Sequence, residues 1–143
     1  MSGQRDLARL LAGLQVTARE GEYVFVSRPG PDPGLAALAQ ASVFEEEGVT
    51  YVLPRAKADA LRLDYGFRAA WLSLGVHSAL DAVGLTAAVA TALAQHGIAC
   101  NVLAGFHHDH LLVPTERRDD ALAVLSALSV QAGAPANPDN RSG

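Results

Sequence analysis

Two stretches of the sequence carry side chains whose types and spacing suit ligand binding or chemistry. The first is the cluster His107-His108-Asp109-His110, in which two imidazoles at i, i+2 share a strand face and would suit zinc, copper or nickel. The cluster falls at a turn, where Asp and His tolerate unusual backbone angles, and no distant Cys or Glu completes a metal-ligand spacing. We therefore predict a turn with polar side chains, and keep as an alternative a metal-binding protein or metal-dependent enzyme using His107, His108 and His110.

The second stretch is the loop from His77 to Gly84, which leads into a predicted helix. The N–H groups of Leu85 and Thr86 lie in the first turn of that helix, where amides lack partners and favour an anion such as an α-carboxylate. Asp81 precedes them and could meet an ammonium or guanidinium group. The structural alternative is that Asp81 or Ser78 only caps the helix.

A single helix terminus contributes too little free energy for tight ligand binding. It supplies at most about 1–2 kcal/mol, whereas a micromolar ligand needs roughly −8 kcal/mol. A second wall must come from the other unit or another subunit, and Asn101, on the strand face opposite Cys100 and Val102, could reach it. The predicted ligand-binding residues are His77, Ser78, Asp81, Val83, Gly84, Leu85, Thr86 and Asn101.

Other reactive residue types are predicted to be structural. Cys100 alternates with Ile98 and Val102 on a presumed core face, which favours a buried thiol over a nucleophile. The acidic run 45–47 sits at a hairpin turn and keeps an edge strand from pairing. Trp71 lies on the less apolar face of its strand, so we expect it to pack against the other unit or a second subunit.

Composition narrows the class of protein. Half of the 143 residues are hydrophobic and 18% are charged, as in folded globular proteins. The net charge of −4 disfavours nucleic acid as a partner, and one cysteine with neither a signal peptide nor a membrane-spanning stretch indicates the cytoplasm. No dinucleotide fingerprint, phosphate-binding glycine loop or nucleophile elbow occurs, so we predict no cofactor and no enzymatic activity.

The hydrophobic pattern predicts a leading helix over 7–14, a short strand over 14–17 and then one order of elements twice. The first unit has strands at 23–27, 41–47 and 49–53 and helices at 35–39 and 54–61. The second has strands at 69–76, 98–104 and 110–113, a helix over 85–96 ending at Gly97, and a last helix capped by Thr115. Domain limits are predicted at 1–64 and 65–130, with a disordered tail over 131–143.

The two units resemble each other, since Thr50–Pro54 and His110–Pro114 both run from a strand through proline into a helix. Each supplies β-α-β-β-α, the order of a ferredoxin-like α+β fold with helices on one face of an antiparallel sheet. A ferredoxin-like sheet normally closes with a fourth strand, but after Leu128 only Ser129-Val-Gln-Ala remains, which is too weak a strand signal. We predict that the N-terminal strand over 14–17 completes the sheet of the second unit and joins the two halves.

A family resemblance rests on residues 76–101, which resemble the first loop, helix and second strand of an ACT domain through Gly84-Leu85, the small residues along the helix, and His96-Gly97-Ile98. The segment Ala104–Pro114 resembles more narrowly short bacterial proteins with two ACT-like units, related in architecture to arginine-sensing ACT proteins.

That resemblance implies a homodimeric regulatory sensor that binds an amino acid between units or subunits and catalyses nothing. The sequence Asp81-Ala-Val-Gly84 stands where Asp-x-Pro-Gly is frequent in ACT domains. This departure keeps open an interaction module that regulates a partner enzyme and has lost its ligand.

Overall fold

The computed structural model describes residues 2–76 and 83–134. Five helices and seven strands alternate along these residues. In chain order they are α1 (Ser2–Ala12), β1 (Val16–Ala18), β2 (Tyr23–Arg28), α2 (Pro33–Leu38), β3 (Ala41–Glu45), β4 (Gly48–Pro54), α3 (Arg55–Ala60), β5 (Arg68–Leu74), α4 (Leu85–Gln95), β6 (Asn101–Ala104), β7 (Asp109–Pro114) and α5 (Arg118–Gly133).

All seven strands belong to one antiparallel sheet with the order β3-β4-β2-β5-β7-β6, and β1 pairs with β5 outside that order. Each unit has its first strand beside its third and its second strand at the edge, as ferredoxin-like β-α-β-β-α units do. The predicted fold class is confirmed. Because β2 pairs with β5, the sheets of the two units form one continuous sheet.

The join between the units runs along a single edge of β5. Val16 to Ala18 pair with Leu74 to Leu72, the Arg19 amide donates to the Trp71 carbonyl at 2.9 Å, and Tyr23 pairs with Ala69. The prediction that the N-terminal strand completes the second unit is therefore confirmed. The continuation of the same segment, β2, then carries the sheet into the first unit.

Helices cover one face of the sheet in two groups. Over the second unit, α1, α4 and α5 bury a core that includes Leu72, Leu74, Val89, Leu111 and Leu125, each fully inaccessible to solvent. Over the first unit, the six-residue helices α2 and α3 cover a smaller core that includes Leu35 and Leu53. No helix within residues 2–76 or 83–134 combines the length and apolar character that crossing a membrane requires.

No helix of the described residues covers the opposite face of the sheet, yet the centre of that face is buried. Here Tyr23, Val52, Ala69, Trp71 and Leu112 form an apolar cluster, and Trp71 is 2% exposed. The Tyr23 and Trp71 rings meet edge to face with centroids 5.1 Å apart. Since Tyr23 comes from the first unit, the predicted packing of Trp71 against the other unit is confirmed.

Several predicted boundaries differ from the structure, and three of the differences have a clear physical cause. β6 starts at Asn101 rather than Ile98, because the Ile98 amide bonds the Leu93 carbonyl at 3.0 Å and so closes the end of α4. Thr115 caps no helix: a 3₁₀ turn covers Thr115–Arg117, and the buried Thr115 Oγ1 has no partner among the described residues. α5 extends to Gly133, into the predicted tail, because it packs on α1.

Removal of residues 1–20 tests the dependence of both units on the N-terminal segment. The truncation deletes α1 and β1, which strips Leu11 and Leu14 from the core and leaves residues 72–74 of β5 unpaired on that edge. We expect the cooperative thermal transition followed by circular dichroism to disappear. Removal of residues 135–143 is the control and should leave the melting temperature unchanged, whereas an unaltered midpoint in the 1–20 deletion would contradict this account.

Candidate functional site

The predicted loop site is described in part. His77, Ser78 and Asp81 lie outside the described residues. Gly84, at φ 104°, is the N-cap of α4, and no side chain among the described residues caps that helix. The first internal bond of α4 joins the Ala88 amide to the Gly84 carbonyl at 2.8 Å, so the earlier amides, including those of Leu85 and Thr86, are outside the helical ladder.

The corresponding helix of the first unit starts differently. The side chain of Asp32 caps α2 by accepting from the Leu35 amide at 3.1 Å, and Pro33 occupies the first turn without an N–H group. The start of α2 is therefore largely satisfied by its own sequence. At the start of α2 the Gly34 amide alone has no described partner, whereas α4 has no described side-chain cap and starts with several amides outside its helical ladder.

The described end of the loop lies against α1. A Cβ added to Gly84 would sit 3.1 Å from Cδ2 of Leu7, and the positive φ of Gly84 independently favours glycine. Val83, next to it, is 90% exposed. The N-terminal helix thus forms one side of the space in front of α4.

Asn101 lies on the other side of the sheet. It is paired in register with Leu112, which belongs to the helix-free face, and its Nδ2 donates to the Leu112 carbonyl at 3.4 Å. Cross-strand partners share one face of a sheet, whereas α4 covers the opposite face. Within one chain, the sheet separates Asn101 from the start of α4.

The histidine cluster does not converge. His110 turns to the helix-free face, where its Nδ1 shares a hydrogen bond of 2.8 Å with Ser73 Oγ and its ring meets Trp71 at 5.4 Å. The His107 ring is instead in edge contact with exposed Phe106. Within the described part of the chain, no three His, Cys, Asp or Glu side chains are placed to hold a metal, so the metal alternative gains no support from this geometry.

Two of the residues considered for chemistry, His110 and Cys100, have shifted pKa values. Burial lowers the pKa of His110, nearby Arg19 and His108 lower it further, and Asp109 opposes them. Burial raises the pKa of the Cys100 thiol, which packs partly buried against the core. Near neutral pH, His110 is uncharged and Cys100 is a thiol rather than a nucleophilic thiolate, which supports the predicted packing role of Cys100.

Sequence reasoning missed an arrangement on the helix-free face that we call the open-face cluster, formed by Arg19, Gln40, Trp71, Ser73 and His110. The guanidinium carbon of Arg19 lies 4.0 Å from the Trp71 ring centroid, and its Nη1 donates to Gln40 Oε1 at 3.2 Å. The alternation of side chains along β5 could have indicated this cluster. It places Trp71 on the face without helices, where the indole needs other side chains to bury it.

A groove of about 540 Å³ also runs between α4 and α5. Its most prominent polar side chain, Arg117, is already engaged by Asp120 at 2.8 Å and by the His96 carbonyl at 3.1 Å. These bonds close the end of α4 and leave the arginine a structural role. The groove therefore adds no candidate site.

Comparisons with known proteins agree with this architecture. One family profile described as ACT domain matches residues 2–70, and a second profile of the same description matches residues 67–127. A search of curated proteins finds no match.

Solved structures share the fold. A Vibrio cholerae protein of unknown function, described as a possible transport protein, is 39% identical, with a TM-score of 0.80 and coverage of 89% of this chain and 98% of that one. An Agrobacterium tumefaciens protein is 20% identical (TM-score 0.66, coverage 81% and 89%). The regulatory subunit of aspartate kinase from Thermus thermophilus is 14% identical (TM-score 0.58, coverage 84% and 97%). The last two show likeness of fold alone.

The lowered pKa of His110 predicts a pH-dependent stability. Because the folded state disfavours the charged imidazole, unfolding takes up a proton once the pH falls below the ordinary histidine value of 6.5. We expect the free energy of unfolding in urea to fall from about pH 7 towards pH 5, and to fall less in His110→Gln. His107→Gln, on an exposed ring, should keep the full dependence; equal pH profiles in the two variants would contradict the assignment.

Proposed function

Because this chain belongs to the ACT domain family and carries two such domains in tandem, we propose that it is a non-catalytic sensor that binds an amino acid at the loop from His77 to Gly84. ACT domains are regulatory domains that bind small ligands. The observation that carries the proposal for this site is the difference between the two helix starts, since α2 is capped by Asp32 and α4 has no described side-chain cap.

The start of α4 suits the carboxylate of an amino acid. Amides without a described partner and the positive end of the helix dipole favour a negative group there, and Gly84 lets the chain approach closely because it has no side chain. Asp81, in the same loop, is proposed to accept the α-ammonium group. His77, Ser78, Val83, Leu85 and Thr86 complete the proposed contacts from the loop and first turn.

Enclosure of the ligand is proposed to come from two sources. Leu7 of α1 already lies beside Gly84, so the N-terminal helix provides one wall. Asn101 lies across the sheet from this position, so it can contribute only from a second copy of the chain. Its strand, β6, is an edge strand with Val102 39% exposed, which supports a homodimer assembled along that edge.

The proposed role is regulatory. The chain consists of two ACT domains, and the pKa of Cys100, its only cysteine, is raised rather than lowered. A Thermus thermophilus protein of the same fold is the regulatory subunit of aspartate kinase. We propose that this chain acts in the cytoplasm, through a partner enzyme, and that ligand binding changes their association.

A thermal-shift panel of the twenty amino acids tests the sensor function. A ligand at a hundred times its dissociation constant adds about 2.7 kcal/mol to stability, which raises the melting temperature by several degrees for a chain of this size. The decarboxylated amine of any active amino acid is the matched control and should give no shift. A flat panel would instead favour the interaction module that has lost its ligand.

Replacement of one carboxylate tests the location of the site. Asp81→Ala is expected to abolish the shift by the active amino acid, because the ammonium group loses its partner, while the melting temperature without ligand stays unchanged. Asp64→Ala removes the same charge from the exposed segment before β5 and should preserve the shift. A full response in Asp81→Ala would move the pocket elsewhere.

A further inference from the structure

Arg19 holds a positive charge on the helix-free face without a carboxylate beside it. Other arginines of the chain, Arg28, Arg55, Arg68, Arg117 and Arg118, form ion pairs. Arg19 forms none within residues 2–76 and 83–134, and its hydrogen-bond partner is the neutral amide of Gln40. Its guanidinium group therefore has no ion-pair partner among the described residues.

The position of this guanidinium is fixed by the sheet. The Arg19 amide donates to the Trp71 carbonyl, which continues the pairing of β1 with β5 and places Arg19 beside the indole on which it stacks. Gln40 accepts a hydrogen bond from one of the five N–H groups of the Arg19 guanidinium, which leaves the other N–H groups for a ligand. A cation held in advance loses little conformational freedom on binding.

The neighbouring side chains supply neutral polar groups. Ser73 follows Trp71 on the same face of β5, and Thr17 of β1 is paired in register with Ser73. His110, bonded to Ser73, lies close enough for Arg19 to lower its pKa. The Trp71 Nε1 group is buried and has no hydrogen-bond partner among the described residues, so the cluster also holds an unused donor.

The charge of the open-face cluster selects the ligand. It contains one permanent positive charge, from Arg19, together with hydroxyl and amide groups and an imidazole that is neutral near pH 7. A single guanidinium matches a planar carboxylate through paired hydrogen bonds, whereas a dianion such as phosphate would require more positive charge. We propose that the open-face cluster is a second binding site, for a small monocarboxylate, separate from the loop before α4.

The chain carries its own reporter for this site, because Trp71 is its only tryptophan. The full-length protein would be titrated with sodium acetate, with sodium chloride at the same ionic strength as the blank, while Trp71 emission is recorded. A saturable change is expected, with half-saturation on the order of millimolar or weaker, because the guanidinium contact needs support from the neighbouring hydroxyl and amide groups to reach that affinity. A change that rises linearly with acetate would be collisional and would overturn the site.

Variants of two arginines locate the response. Arg19→Gln is expected to weaken acetate binding at least tenfold, and Arg19→Lys to weaken it less, because lysine keeps the charge without the planar fork. Arg28→Gln removes the same charge from the end of β2 and should bind acetate as the unaltered chain does. If Arg19→Gln does not fold, Arg19→Lys decides, and undiminished affinity in that variant overturns the proposal.

Asp81→Ala separates this site from the proposed sensor loop. The acetate response of Trp71 should persist in that variant, even though its amino-acid thermal shift is expected to vanish. Loss of the acetate response in Asp81→Ala would mean that Trp71 reports on the loop, and the open-face site would then be rejected. A flat amino-acid panel together with a saturable, Arg19-dependent acetate response would reject the sensor proposal and retain this site.

Discussion

The pairing of both edges of β5 is the constraint on which the rest of the structure depends. β5 is the first strand of its unit, and β7 satisfies one of its edges. Buried backbone groups must find hydrogen-bond partners, and Leu72 and Leu74 are fully inaccessible to solvent, so the other edge cannot remain open. β1 pairs with the end of β5 and β2 with its beginning, and this division makes the two ACT domains one sheet.

The same pairing positions both proposed sites. The segment before β1 is α1, which packs on α5 and brings Leu7 against Gly84 on the helix-covered side. The residue after β1 is Arg19, which lies over Trp71 on the helix-free side. A short strand of three residues therefore fixes one element on each face of the sheet.

Local patterns predicted the elements, and distant contacts decided the details that sequence reasoning missed. The apolar stripe of α4 and Gly97, which has φ 68°, were sufficient to place that helix, and the absence of a fourth strand predicted the role of β1. The start of β6 was mispredicted because the Ile98 amide serves α4 instead of the sheet. The stacking of Arg19 on Trp71 depends on the register of β1 against β5, which no local pattern encodes.

The two ACT domains are unequal in a way that bears on how many ligands the chain can hold. In the first, the Asp32 carboxylate caps a six-residue helix and Pro33 carries no N–H group, so few amides remain for an anion and a negative charge already lies beside them. In the second, α4 has eleven residues, a glycine N-cap and an added wall from α1. The positive end of a helix dipole is concentrated in the first turn, and at α4 no described side chain neutralises it. On these grounds we propose that the first domain is structural support and that an amino acid binds only to the second, with one such ligand per chain.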